Sequence, residues 1–128
     1  RIVAEVPGNT LVKIPACPEG YRAIRELAEV GIRSSCTAVF DVGQALLAEA
    51  AGAVCVAVYV SRLDRAGCDG IGAVRDIATA FRKIGARAMV CAASLKTPRD
   101  VERALLAGAE NVTVDLALLN QLATSPLT

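Results

Sequence analysis

Val54-Cys55-Val56-Ala57-Val58-Tyr59-Val60-Ser61 decides the architecture. Side chains alternate faces along a strand. Val54, Val56, Val58 and Val60 make one face uniformly branched and apolar, suited to covering helices. Cys55, Ala57, Tyr59 and Ser61 make the other small or polar, suited to a crowded barrel interior with a functional mouth. Ser35 and Thr37 share a face in the same way, as do Asn111 and Thr113 opposite Val112 and Val114. A doubly wound sheet meets helices on both faces, so this asymmetry favours a (β/α) barrel.

Outward from this segment, strand and helix signals alternate. The other strands are predicted at Leu11–Ala16, Ser35–Phe40, Ala88–Ser94 and Asn111–Val114. Tyr21, Ile24, Leu27 and Ala28 recur at helical spacing, as do Val42, Ala45, Leu46 and Ala50 behind a capping-box pair, Asp41 and Gln44. Ile71, Val74, Ile77, Ala78 and Phe81 form a third stripe. Val101, Ala104 and Leu105 form a fourth, opened by Thr97, Pro98 and Asp100. Helices are expected to stop near Gly31, Gly52, Gly85 and Gly108, and a last one to span Leu116–Ala123. Strands separated by single helices imply parallel neighbours joined by right-handed crossovers. Five such steps are fewer than the eight of a closed barrel, so the pattern alone fits an open five-stranded sheet or the back part of a barrel. Residues 1–128 read as a single domain, or one piece of a domain, without linker or low-complexity stretch.

Composition narrows the function. The 128 residues carry a net charge of +1, which gives no broad pull toward nucleic acid or anionic membranes. The longest uncharged apolar run, Ala50 to Val60, is short of the ~20 residues a spanning helix needs. No signal peptide is visible in the opening residues, Arg1 to Ala4. Five cysteines, none in a C-x-x-C, read as reduced thiols of a cytoplasmic protein. The absence of histidine leaves no zinc pattern and no Ser-His or Cys-His dyad, so acid–base work falls to Lys, Tyr, Asp, Glu, Cys or water.

Among three lysines and eleven arginines, Lys13 stands within the apolar strand Leu11-Val12-Lys13-Ile14-Pro15. Burial there would hold the amine neutral, as attack on a carbonyl requires. The competing reading is a lysine that reaches solvent or pairs with a carboxylate such as Glu5. Tyr59, on the small polar face, has a hydroxyl able to hold a water, or it is an ordinary core tyrosine. Arg62, Asp64, Ser94 and Lys96 fall at or just beyond strand C-termini, where α/β active sites gather. Arg and Ser suit a phosphate, and a helix opening at Thr97 would add anion affinity. Gly67-Cys68-Asp69-Gly70 reads as a loop before a helix and lacks a phosphate-loop pattern.

In order along the chain, Leu-Val-Lys-Ile-Pro at 11–15, Thr-Ala-Val-Phe at 37–40, Ala-Val-Tyr-Val-Ser-Arg-Leu-Asp at 57–64, Ala-Ala-Ser-Leu-Lys-Thr-Pro-Arg at 92–99 and Leu-Leu-Ala-Gly-Ala-Glu-Asn-Val-Thr at 105–113 resemble the transaldolase family, especially its fructose 6-phosphate aldolase branch. The resemblance implies a (β/α)8 TIM-type barrel of which this chain supplies strands four to eight. The earlier strands and the C-terminal helix are then absent, the chain ending Ser125-Pro126-Leu127-Thr128. It implies Lys13 as the Schiff-base residue, Thr37 as the threonine beside the intermediate or its water, Tyr59 as the residue that marks the aldolase branch, and Arg62 with Ser94 as the phosphate pair. The activity implied is a class I aldolase of carbohydrate metabolism that cleaves or forms a ketose phosphate through a lysine enamine, without cofactor or metal. The alternatives are a transaldolase of the pentose phosphate type, moving a dihydroxyacetone unit, and an inactive sugar-phosphate-binding relative. Exposed strand edges and inner apolar surface lead us to expect a homo-oligomer or a longer polypeptide.

Overall fold

The computed structural model describes residues 9–124 and residue 127. Five strands, β1 (Val12–Pro15), β2 (Ser34–Val39), β3 (Cys55–Tyr59), β4 (Met89–Ala93) and β5 (Asn111–Val112), form one sheet. Among the described residues six helices connect and flank them: α1 (Pro18–Glu29), α2 (Val42–Ala51), α3 (Val60–Arg65), α4 (Gly70–Ile84), α5 (Pro98–Leu106) and α6 (Leu116–Leu122). Every pairing is parallel and the spatial order is the chain order, β1-β2-β3-β4-β5. An α/β fold with a five-stranded parallel sheet in this order is what part of a (β/α)8 barrel looks like.

The two sheet faces differ as the 54–61 segment predicts. Val56, Val58 and Val60 join Ile24, Ala45, Ala48, Val74, Ile77, Phe81, Val90, Val101 and Ala104 in one continuous buried core between sheet and helices. The opposite face carries a separate small cluster of strand residues, Cys55, Ala57, Cys91 and Ala93, with Tyr59 against it. Among the described residues no helix residue enters that second cluster, an arrangement consistent with part of a barrel.

Helix boundaries follow local chemistry. Asp41, Asp69, Thr97 and Asp115 cap the N-termini of α2, α4, α5 and α6 through their side chains. The Asp41–Gln44 pair departs from a full capping box: Asp41 accepts from the Gln44 amide, but Gln44 Oε1 accepts from Phe40 N, one residue before the cap. Gly52 and Gly85 close α2 and α4 in the left-handed conformation.

Two expectations about strand length need correction. The β3 segment stops at Tyr59, and Val60 to Arg65 turn at once into α3. The last strand is two residues long, although Thr113 N still donates to Ala92 O at 3.0 Å. Ala38 has φ 56°, and the β2–β3 register shifts between Cys36 and Val39. This bulge lets Cys36 and Val39, three positions apart, both enter the helix-side core, which a regular strand forbids.

Candidate active site

The helix-free face gathers candidate side chains toward the C-terminal ends of β1, β2 and β3. Parallel registry puts Lys13 beside Ser35, and Ser35 beside Cys55, on that face. Tyr59 closes β3 and is half-buried. Thr37 Oγ1 donates to the Tyr59 hydroxyl at 3.2 Å. Lys13 Nζ lies 6.0 Å from the Tyr59 ring centroid, and the Arg62 guanidinium stacks 4.6 Å from it. Phe40 meets the same ring edge-on, centroids 6.3 Å apart at 85°. Tyr59 is therefore the hub beside which three of the other residues singled out in sequence lie: Lys13, Thr37 and Arg62.

Lys13 differs from its expectation in one respect. It lies on the correct face, but its side chain is exposed rather than buried. The physical reason is position: β1 is an edge strand, paired only with β2 among the described residues, and its outer side is uncovered. Glu5, considered as its partner, lies outside the described residues, as do Arg1 to Ala4 and Ser125, Pro126 and Thr128.

Ser94 follows β4 directly and is half-buried, with φ 61°. Only a few per cent of non-glycine residues take positive φ, and they concentrate at functional positions. Its carbonyl accepts from Ser61 N at 3.4 Å and from Ser61 Oγ in a short contact. Arg62 and Asp64 sit on α3 rather than in a loop. Asp64 Oδ1 accepts from Gly70 N at 2.9 Å and Asp69 caps α4, so residues 67–70 form a turn between two helices. The start of α5 is not an open anion site. Asp100 Oδ2 accepts from Lys96 N and Thr97 N, filling that position with a carboxylate. Lys96 is exposed.

The same face holds a thiol pair that sequence reasoning treated as packing. Cys55 is pulled down to about 7, chiefly by a hydrogen bond from Cys91, against burial, with help from the Ser35 hydroxyl and the Lys13 charge. Cys91 is pushed up by the same bond and by burial. On the helix side, burial pushes Cys36 up to about 11. Phe40, Ser61 and the left-handed Ala38 were likewise missed as contributors to the site. Phe40 and Ser61 lay inside quoted motifs, whereas nothing in an alanine signals a bulge.

An amine, a phenol paired with a second hydroxyl, and a guanidinium on one face can together bind an anionic carbonyl compound and move protons near it. Among the described residues no group of three His, Cys, Asp or Glu side chains converges as metal ligands.

Comparison with known proteins adds identity to this geometry. The family described as Transaldolase/Fructose-6-phosphate aldolase matches residues 1–128. A protein of Herpetosiphon aurantiacus named "Probable transaldolase" is 39% identical over 128 residues, covering 100% of this chain and 58% of the relative. One of the same name from Clostridium acetobutylicum is 40% identical, covering 100% and 60%. The chain thus spans about three fifths of the length of these curated relatives. A solved Pediococcus acidilactici protein described as a lactate oxidase superposes on 73% of this chain and 26% of its own, with TM-score 0.57 and 23% identity, a likeness of fold alone.

Proposed function

Because this chain belongs to the transaldolase/fructose-6-phosphate aldolase family, we propose that it carries the Schiff-base lysine and the phosphate site of a class I aldolase acting on a ketose phosphate such as fructose 6-phosphate. In this reading the five strands are the fourth to eighth of a (β/α)8 barrel. What supports it is the placement of the Lys13 amine 6.0 Å from the centre of the Tyr59 ring, whose hydroxyl accepts from Thr37. The relatives are longer, and the rest of the barrel would close over Lys13, supplying the desolvation that favours a neutral amine.

The neutral Lys13 amine adds to the C2 carbonyl of the ketose, and water leaves to give a protonated imine. The C3–C4 bond then breaks. Its electron pair enters the iminium to form an enamine, and the C4 hydroxyl proton passes to a water held by Tyr59 and Thr37 as the aldehyde departs. The enamine takes a proton at C3, and hydrolysis frees dihydroxyacetone and the amine. Arg62 and Ser94 hold the phosphate of the sugar until the aldehyde that carries it departs. Five free cysteines support a reducing compartment, and we place the enzyme in the cytoplasm as a homo-oligomer.

Borohydride reduction with dihydroxyacetone should leave a covalent adduct on Lys13 in the mass spectrum, absent from Lys13→Met. Phosphate binding without any adduct would instead identify an inactive sugar-phosphate-binding relative. The transaldolase reading differs at Tyr59. Tyr59→Phe should move activity from free aldol cleavage toward dihydroxyacetone transfer to an aldose phosphate acceptor. An unchanged ratio of the two would remove the aldolase assignment.

A further inference from the structure

We propose that Ser61 is the positioning residue that fixes the spacing of the phosphate pair. This rests on reading Arg62 and Ser94 as that pair, as set out above.

Ser61 lies in the first turn of α3, immediately before Arg62. Its backbone N–H and its hydroxyl both converge on one acceptor, the carbonyl of Ser94. The first turn of α3 is thereby clamped to the residue that ends β4. Arg62 is held from its own side by stacking on Tyr59 at 4.6 Å. Ser94 has no such side-chain anchor among the hydrogen bonds described. It holds φ 61°, a conformation that a non-glycine residue keeps only when its surroundings enforce it. The Ser61 clamp is the enforcing contact on the carbonyl side. Without the hydroxyl, the remaining bond is the 3.4 Å backbone contact, long for an N–H···O bond. Ser94 can then relax, and the spacing between its hydroxyl and the guanidinium is no longer set.

Ser61 touches neither the phosphate nor the reacting carbons. It acts through Ser94, so the effect belongs in binding of the phosphorylated end and not in chemistry at Lys13. In the full-length protein, Ser61→Ala should raise KM for fructose 6-phosphate about tenfold, as loss of one hydrogen bond predicts, with kcat changed less than about twofold. Ser61→Thr, which keeps the hydroxyl, should restore KM. Inorganic phosphate, titrated by NMR against both variants, should bind Ser61→Ala about tenfold more weakly than wild type. A Ser61→Ala protein with wild-type KM and wild-type phosphate affinity overturns the proposal, as does a loss confined to kcat. A wild-type protein that binds no phosphate overturns it too. Failure of the aldolase reading is distinct: it appears as a missing borohydride adduct, and the phosphate titration still decides the role of Ser61.

Discussion

The two faces of the sheet contrast in what holds them. The helix side is closed by Val56, Val58, Val90, Ile77 and Phe81, all buried among one another. The other side has only a four-residue cluster of small side chains, and beyond it lie Tyr59 half-buried and Lys13 exposed. Packing closes one side of β3, and the residues of the proposed site lie on the other. Even the cysteines separate accordingly. Burial, with the nearby Cys17, raises Cys36, whereas a hydrogen bond from Cys91 is the largest influence on Cys55.

The contrast can be broken first by truncation on the packed side. Phe81→Ala should cost about 3–5 kcal/mol in urea unfolding followed by circular dichroism, because it opens a cavity in the continuous core. Lys13→Met, across the sheet, should move the same midpoint by no more than about 0.5 kcal/mol. Equal losses would mean that the two faces are not energetically separate.

The smallest effect sharpens the contrast through pH. Cys55 sits below its ordinary value of 9.0, at about 7, so between those values the folded state binds fewer protons than the unfolded one. Its contribution therefore grows as pH rises from about 7 to 9 and is lost as pH falls through about 7. Cys36, raised to about 11, does the reverse: its contribution is present below about 9 and is lost as pH rises from there toward 11. Alkylation by iodoacetamide should label Cys55 slowly, because it is buried, at a rate that rises through about pH 7, while Cys36 stays unlabelled there, as mass mapping would show. Faster labelling of Cys36 would reverse the assignment of the two environments.

Much of the packed side was legible because period and volume specify it. Val54 to Val60 announced the face, and the stripe from Ile71 to Phe81 announced α4. The caps at Asp41, Thr97 and their glycine counterparts carried their own chemistry. The residues proposed for the other side were picked out by different signals: Lys13 as a lysine in an apolar strand, Tyr59 by its place on the small polar face, and Thr37 by the family resemblance. The finer geometry of that side was not legible. The helix at Val60 begins inside what reads as strand, since valine suits a strand and nothing marks the break. The bulge at Ala38 arises from tertiary demand, with Cys36 and Val39 both drawn to the core. The exposure of Lys13 depends on what flanks β1, which no local pattern records.

From β2 onward each strand hydrogen-bonds the one before it, and among the described residues no ladder joins positions further apart in sequence than Cys55 and Met89. Loop-closure entropy is therefore paid one βα step at a time. Such a polypeptide can add one βα unit at a time as it leaves the ribosome. Each new unit docks onto a surface already in place, without waiting for the C-terminus to be made.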